Sequence, residues 1–155
     1  MLFEAPFRLG PFTVDAEGGL SPCIPEPAPA FLFRWRDRVV RARLVQADRG
    51  GVQLALRATL GRVPSTASMP EGTLRPRSFA LLHWLPRSLP PAWGVCLLAD
   101  HRVILEAAPR ITLPITAAAL LTELTCFLLA LSPYLDLLDE AGVTGPTADF
   151  AIGHA

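Results

Sequence analysis

Three histidines, three cysteines and one knot of acids are the residues here whose types suit chemistry. His83 adjoins Trp84, His101 sits in an Asp-His-Arg turn, and His154 lies close to the last residue. A zinc site needs such donors at turn or helical spacing, as in HExxH or paired CxxC, and neither pattern occurs. Cys23, Cys96 and Cys126 are odd in number and widely spaced. That predicts reduced, buried thiols rather than a disulfide framework or a zinc knuckle. There is no GxSxG nucleophile elbow, no GxxxxGK phosphate loop, and no GxGxxG after a strand. Asp136, Asp139 and Glu140 suggest a carboxylate pair or a divalent-ion site, but in a last helical turn a solvated face is the simpler reading, although acids there oppose the helix dipole. Arg34, Arg36, Arg38, Arg41 and Arg43, with Asp37 as their single acid, could receive phosphate. Without aromatic residues interleaved on the same face, an exposed sheet surface accounts for them better. No catalytic residue, metal ligand or cofactor is assigned, and the chain reads as non-enzymatic.

Composition narrows the classes further. The length of 155 residues suits one domain, here divided into a turn- and Pro-rich segment at 1–30, a core at 31–142 and a frayed tail at 143–155. Apolar residues make up 51% of the chain, too many for intrinsic disorder. Fourteen arginines against fourteen acids leave no net charge, so no global field draws in nucleic acid or an anionic membrane. Near the start, Glu4 precedes Arg8 and Pro6 interrupts the apolar stretch, so no export signal is visible and a cytoplasmic location is expected.

The elements that position these residues follow from periodicity. Phe12–Asp15 alternates like a short strand, and Glu17-Gly18-Gly19 supplies a turn. Pro22, Pro25, Pro27 and Pro29 make residues 21–30 an extended connector of polyproline character, with a ligand for a proline-reading domain as the rarer use. Phe31, Phe33 and Trp35, then Val40, Ala42 and Leu44, then Leu54, Leu56, Ala58 and Leu60 alternate with polar or charged neighbours. This period of two predicts a three-stranded antiparallel meander, turning at Asp37-Arg38 and at Asp48–Gly51. Arg77–Leu85 forms a short helix with Phe79, Leu82 and Leu85 along one side and Leu81 on the flank, ended by Pro86. Trp93–Leu97 and Val103–Leu105 form a hairpin around Asp100-His101-Arg102. Thr116 caps a long helix whose stripe is Leu120, Leu121, Leu124, Phe127, Leu128 and Leu131. Ser132-Pro133 starts a second helical piece carrying Leu135 and Leu138, which Gly142 and Gly145 stop. The fold class is α+β: a twisted antiparallel sheet of about five strands, a short middle helix, and a long C-terminal helix packed on the sheet.

Residues 115–138 also pose the question of a membrane span. Glu123 lies within the run, where an acid costs about 2.5–3.5 kcal/mol on insertion scales. The Ser132-Pro133 junction shortens the uninterrupted helix, so a helix covering a sheet is expected and no membrane insertion.

Trp35, Trp84, Trp93, Phe31, Phe33 and Phe79 are more large rings than so small a core needs. Surplus aromatic residues commonly anchor interfaces, which predicts an interaction protein that self-associates.

The run FLFRWRDRVVRARLVQADRGGVQLALRATLGRVP resembles the three-stranded section of class I type III secretion chaperones, including an LG-x-x-P-like ending at Leu60–Pro64. FALLHWLP is similar to the family's short second helix, WGVCLLADHRVILEAA to its later strand pair, and LPITAAALLTELTCFLLALSPYLDLL to its closing helix. The resemblance, with the Tir chaperone-like fold it carries, spans residues 31–138. It implies a cytoplasmic, non-catalytic homodimer that holds an extended segment of a secreted effector or other protein partner. By position it implies a dimer interface at Leu81, Leu82, Trp84, Leu85, Trp93, Val95 and Leu97. It likewise implies sheet-face patches at Phe31, Phe33, Trp35, Val40, Leu54 and Leu56, for the partner or for the core. Two departures stand out: the family opens with an amphipathic helix where this chain has a Pro-rich stretch, and it tends to be acidic. A YbjN-like structural or regulatory domain without a secreted effector, and a small-molecule or phosphate-binding protein using the Arg-rich strands, are the alternative readings.

Overall fold

Alternating apolar and charged side chains dictate strands with one face turned inward, and strands dominate the molecule. The computed structural model describes residues 5–9, 12–22, 30–47, 51–65 and 74–145. Three short strands, β1 (Phe7–Leu9), β2 (Phe12–Val14) and β3 (Leu20–Pro22), form a small antiparallel sheet. Then follow β4 (Ala30–Trp35), β5 (Arg38–Gln46), β6 (Val52–Arg62), α1 (Leu74–Ser88), β7 (Trp93–Leu97), β8 (Arg102–Ala107), β9 (Arg110–Ile111) and α2 (Ala117–Glu140). The second sheet is antiparallel, in the order β4-β5-β6-β8-β7, with β9 paired to β6. The expected α+β architecture is therefore present, with six strands in the main sheet and a separate three-stranded sheet before it. The Pro-rich connector lies outside the described residues apart from Ala30 and the stretch within β3.

Cross-strand pairing sorts the main sheet into two faces. Phe33, Val40, Ala58, Leu105 and Val95 form one row, and Phe31, Ala42, Leu56, Ala107 and Trp93 the next. These rows face α2, whose Leu120, Leu124, Phe127, Leu131, Leu135 and Leu138 recur at helical spacing and close the core. Thr116 caps α2 by accepting a hydrogen bond from the Ala119 N–H at 3.2 Å. Its other end is a Schellman turn, with Gly142 at φ 82° and the Val143 N–H donating to the Leu138 carbonyl at 2.8 Å.

Proline stops neither helix where the sequence predicts. α1 extends from Leu74 to Ser88, with Pro86 inside its last turn. α2 is a single helix that runs through Pro133. Pro133 forgoes one bond to the Leu129 carbonyl, but buried Leu131 and Leu135 on either side keep the helix seated on the sheet. On α1 the inward side is Ser78, Leu81, Leu82 and Leu85, while Phe79 points outward with the Arg75 guanidinium 5.1 Å from its ring centre.

The β4–β5 turn falls one residue earlier than predicted, at Arg36 and Asp37, both left-handed at φ 47° and 60°. That geometry matches the right-handed twist of a hairpin but strains residues with a Cβ. The buried Arg38 ties this turn to β6 and α2, and Arg36 adds a surface contact. Arg36 donates to the Asp136 carboxylate at 2.5 Å and to the Ser132 carbonyl at 3.2 Å. Arg38, only 6% exposed, donates to the Leu60 and Arg36 carbonyls at 3.0 Å each and pairs with Asp139.

Gly61 explains the LG-x-x-P-like signature physically. It interrupts the β6–β8 register as a bulge at φ 153°, and a Cβ there would collide with the Thr144 carbonyl, which instead accepts a bond from the Arg62 N–H at 2.9 Å.

Arg38→Ala removes a buried donor and leaves the Leu60 carbonyl without that partner, so urea denaturation should show a loss of about 2–3 kcal/mol. Asp136→Ala, which breaks only a surface pair, should leave the midpoint nearly unchanged.

Candidate partner-binding site

β4 is an edge strand, so its outer backbone groups pair with no described strand. Its alternation sends Phe31 and Phe33 toward α2, where their ring centres lie 6.1 Å apart and Phe12 of β2 meets Phe31 edge-on at 6.2 Å. Between this edge and α2 runs a groove of about 320 Å³, lined by Leu9, Phe31, Leu32, Phe33, Leu120, Leu121, Leu124, Thr125 and Leu128. Leu32 is 61% exposed and Leu121 49%. The lining holds no titratable group, so it offers apolar contact and no acid–base chemistry. Apolar pockets beside an unpaired strand suit an extended polypeptide, which gains main-chain hydrogen bonds from the edge and specificity from alternate side chains.

Of the sheet residues implied for a partner, Phe31 and Phe33 line this groove. Trp35 follows on the same face, half-buried, with its indole N–H unpartnered. Val40, Leu54 and Leu56 are corrected to core: beneath α2 and at most 1% exposed, they are closed to a partner. Alternation shows which residues share the apolar face but not which of them the helix covers. Leu9, Leu32 and Leu121 were missed as site residues; the one available signal was Leu121 on the flank of the α2 stripe.

The residues implied for dimerisation also divide. Leu85 is core, and Leu81, Leu82 and Val95 are half-buried against it. Trp93 packs on Phe127 at 4.9 Å and lies 6.4 Å from Tyr134, so it too serves the protomer's own core. Trp84 is 50% exposed, and with Phe79 and Leu97 it leaves apolar surface on α1 and β7, two elements in contact along the other free edge of the sheet.

The face of the sheet away from α2 carries one charged row and one mostly uncharged row, in which Ile104 is only 2% exposed. Its rows are Leu32, Arg41, Arg57, Glu106 and Gly94, then Arg34, Val39, Thr59, Ile104 and Cys96. Arg36 and Arg38 do not belong to this face. They hold Asp136 and Asp139, so those acids are ion-pair partners rather than a merely solvated surface. At the β7–β8 turn the Arg102 backbone N–H, and after it the Arg102 guanidinium, holds the Asp100 carboxyl below its ordinary value. Its stabilising contribution is in place above the ordinary carboxylate range and fades as pH falls through that lowered value. His83 is exposed and His101 half-buried, and no group of three metal-ligating side chains occurs among the described residues. Cys96 and Cys126 are exposed, contrary to the expectation of buried thiols. α2 is the one described helix long and apolar enough to cross a membrane; its buried side chains face the sheet.

Comparison with protein-family models, with curated proteins and with solved structures finds no match to this chain.

Trp93→Asp places a charge against Phe127 and should abolish cooperative thermal unfolding by circular dichroism. Trp84→Asp, on the exposed side of α1, should keep the native spectrum and a cooperative transition.

Proposed function

We propose that this protein is a non-catalytic protein-binding module that acts as a homodimer and holds an extended segment of a partner polypeptide along β4. The β4 edge, unpaired among the described strands, beside an apolar groove is the observation that carries the reading, because that combination fits an added strand. From β4 to α2 the chain runs through a meander, a helix, a strand pair, the two-residue β9 and a closing helix, and apart from β9 this is the order on which the resemblance to type III secretion chaperones rests. It supports a chaperone-like role toward a secreted effector in the cytoplasm. The small β1–β3 sheet stands where that family has its first helix, so this chain would grip its partner with β-structure at that end. Dimerisation is supported by the exposed Trp84 and Leu97, apolar surface on α1 and β7, which are in contact where β7 ends the sheet.

Light scattering after size exclusion should give a mass near twice 16.7 kDa that persists on dilution. The double variant Trp84→Asp/Leu97→Asp should be a folded monomer; a monomeric wild type overturns the dimer. In calorimetry, a peptide alternating leucine with glutamine should bind the wild type, and Leu121→Asp should weaken it by about tenfold or more. Equal affinity for both proteins would remove the groove from the reading.

A further inference from the structure

We propose, on the basis of that reading, that the segment taken by β4 alternates apolar with acidic residues, its carboxylates lying over the arginine-bearing face of the sheet. A strand added to an edge sends successive side chains to opposite faces. On the α2 side they meet the groove. On the other side they stand beside Ala30, Leu32 and Arg34 of β4, with Arg43 and Arg41 paired directly behind Ala30 and Leu32.

Charge on that face is unbalanced. Arg41 sits directly opposite Arg57, a like-charged pair that opposes sheet formation. Arg57 has a counter-ion on its far side, Glu106 at 3.5 Å. Arg34, Arg41 and Arg43 are exposed and make no ion pair with any described residue. In a chain with no net charge, a cationic patch on the far side of the β4 edge from the groove is a local feature whose complement is anionic. Ala30 and Leu32, lying between the edge and Arg43 and Arg41, carry no polar group to compete, and an arginine side chain can span a small or aliphatic neighbour. Leu32 belongs to both surfaces: it lines the groove and shares a row with Arg41 and Arg57. A single strand at β4 therefore touches both. Among the described residues, the rows of that face carry no Phe, Trp or Tyr beside these arginines for base stacking, which favours an acidic peptide over a single-stranded nucleic acid.

The test is calorimetry with three synthetic peptides in which leucine alternates with glutamate, glutamine or arginine. The glutamate peptide should bind at least about tenfold more tightly than the glutamine peptide at low salt, with the gap closing as ionic strength rises. Arg41→Glu/Arg43→Glu should erase that preference while keeping the glutamine peptide's affinity; if this variant does not fold, Arg41→Gln/Arg43→Gln replaces it. Equal binding of the glutamate and glutamine peptides overturns the charge inference and leaves the groove reading standing. Binding of none of the three overturns both. An oligo-dT strand or inorganic phosphate that binds through Arg41 and Arg43 and displaces the glutamate peptide assigns the face to phosphate and overturns the peptide.

Discussion

Arg38 carries a charge that the fold has to shelter. Its guanidinium is buried at the start of β5, where an unpartnered cation would be too costly to keep. The Leu60 and Arg36 carbonyls and the Asp139 carboxylate supply its acceptors. Those acceptors lie on β6, on the turn and on the last stretch of α2, so satisfying one side chain fixes three elements relative to each other. The last turn of α2 has no basic residue of its own. Arg36 and Arg38 bring cations to that helix end, where the carbonyl dipoles and the two aspartates are both negative. The strained Arg36-Asp37 turn is held by the same network, since the Arg36 carbonyl is one of the acceptors of the buried Arg38.

This clamp holds the C-terminal end of α2. The N-terminal end is held by the small sheet, through Phe12 on Phe31 and the Ala117 N–H bonded to the Gly18 carbonyl at 2.8 Å. With both ends of α2 held, the helix stands off the β4 edge by a fixed gap that Leu120, Leu121, Leu124 and Leu128 line. A groove built this way exists before any partner arrives, and preorganisation lowers the ordering cost of binding. The N-terminal segment, which reads from sequence as little more than turns and spacer, thus contributes a wall of the proposed site.

Periodicity made the meander, the second hairpin and the closing helix legible, because each has a face that water rejects over many residues. It could not say how much of the apolar face α2 covers: Phe33 and Val40 share a row, yet Val40 is fully buried and Phe33 only partly. Nor could it reach the clamp, whose partners stand 100 and 101 positions apart in the chain. Asp136 and Asp139 look like a solvated acidic turn until β5 is placed beside them. The proline errors share one cause. Local rules break a helix at Ser132-Pro133, but the burial of Leu131, Leu135 and Leu138 outweighs one lost hydrogen bond. Exposure of Cys96 and Cys126 was likewise a matter of which face each element turned inward.

The two free edges of the main sheet carry different chemistry, and that difference separates the two proposed contacts. β4 has on one side an apolar groove and on the other unpaired arginines. β7 has neighbouring α1 with Trp84 and Phe79 exposed, and its own outward residues Gly94 and Cys96 are uncharged. Bare strand edges invite indiscriminate pairing unless something restricts them. At β4 the restriction is electrostatic: a second copy of β4 would bring Arg34 and Arg41 against their own kind, so self-pairing through that edge is disfavoured while an acidic strand is not. At β7 the one charge directly behind the edge, Glu106, is paired with Arg57, and a second copy would meet the exposed Leu97. Since β5, β6 and β8 lie between the edges, a dimer formed through β7 leaves β4 of each protomer free to hold its segment.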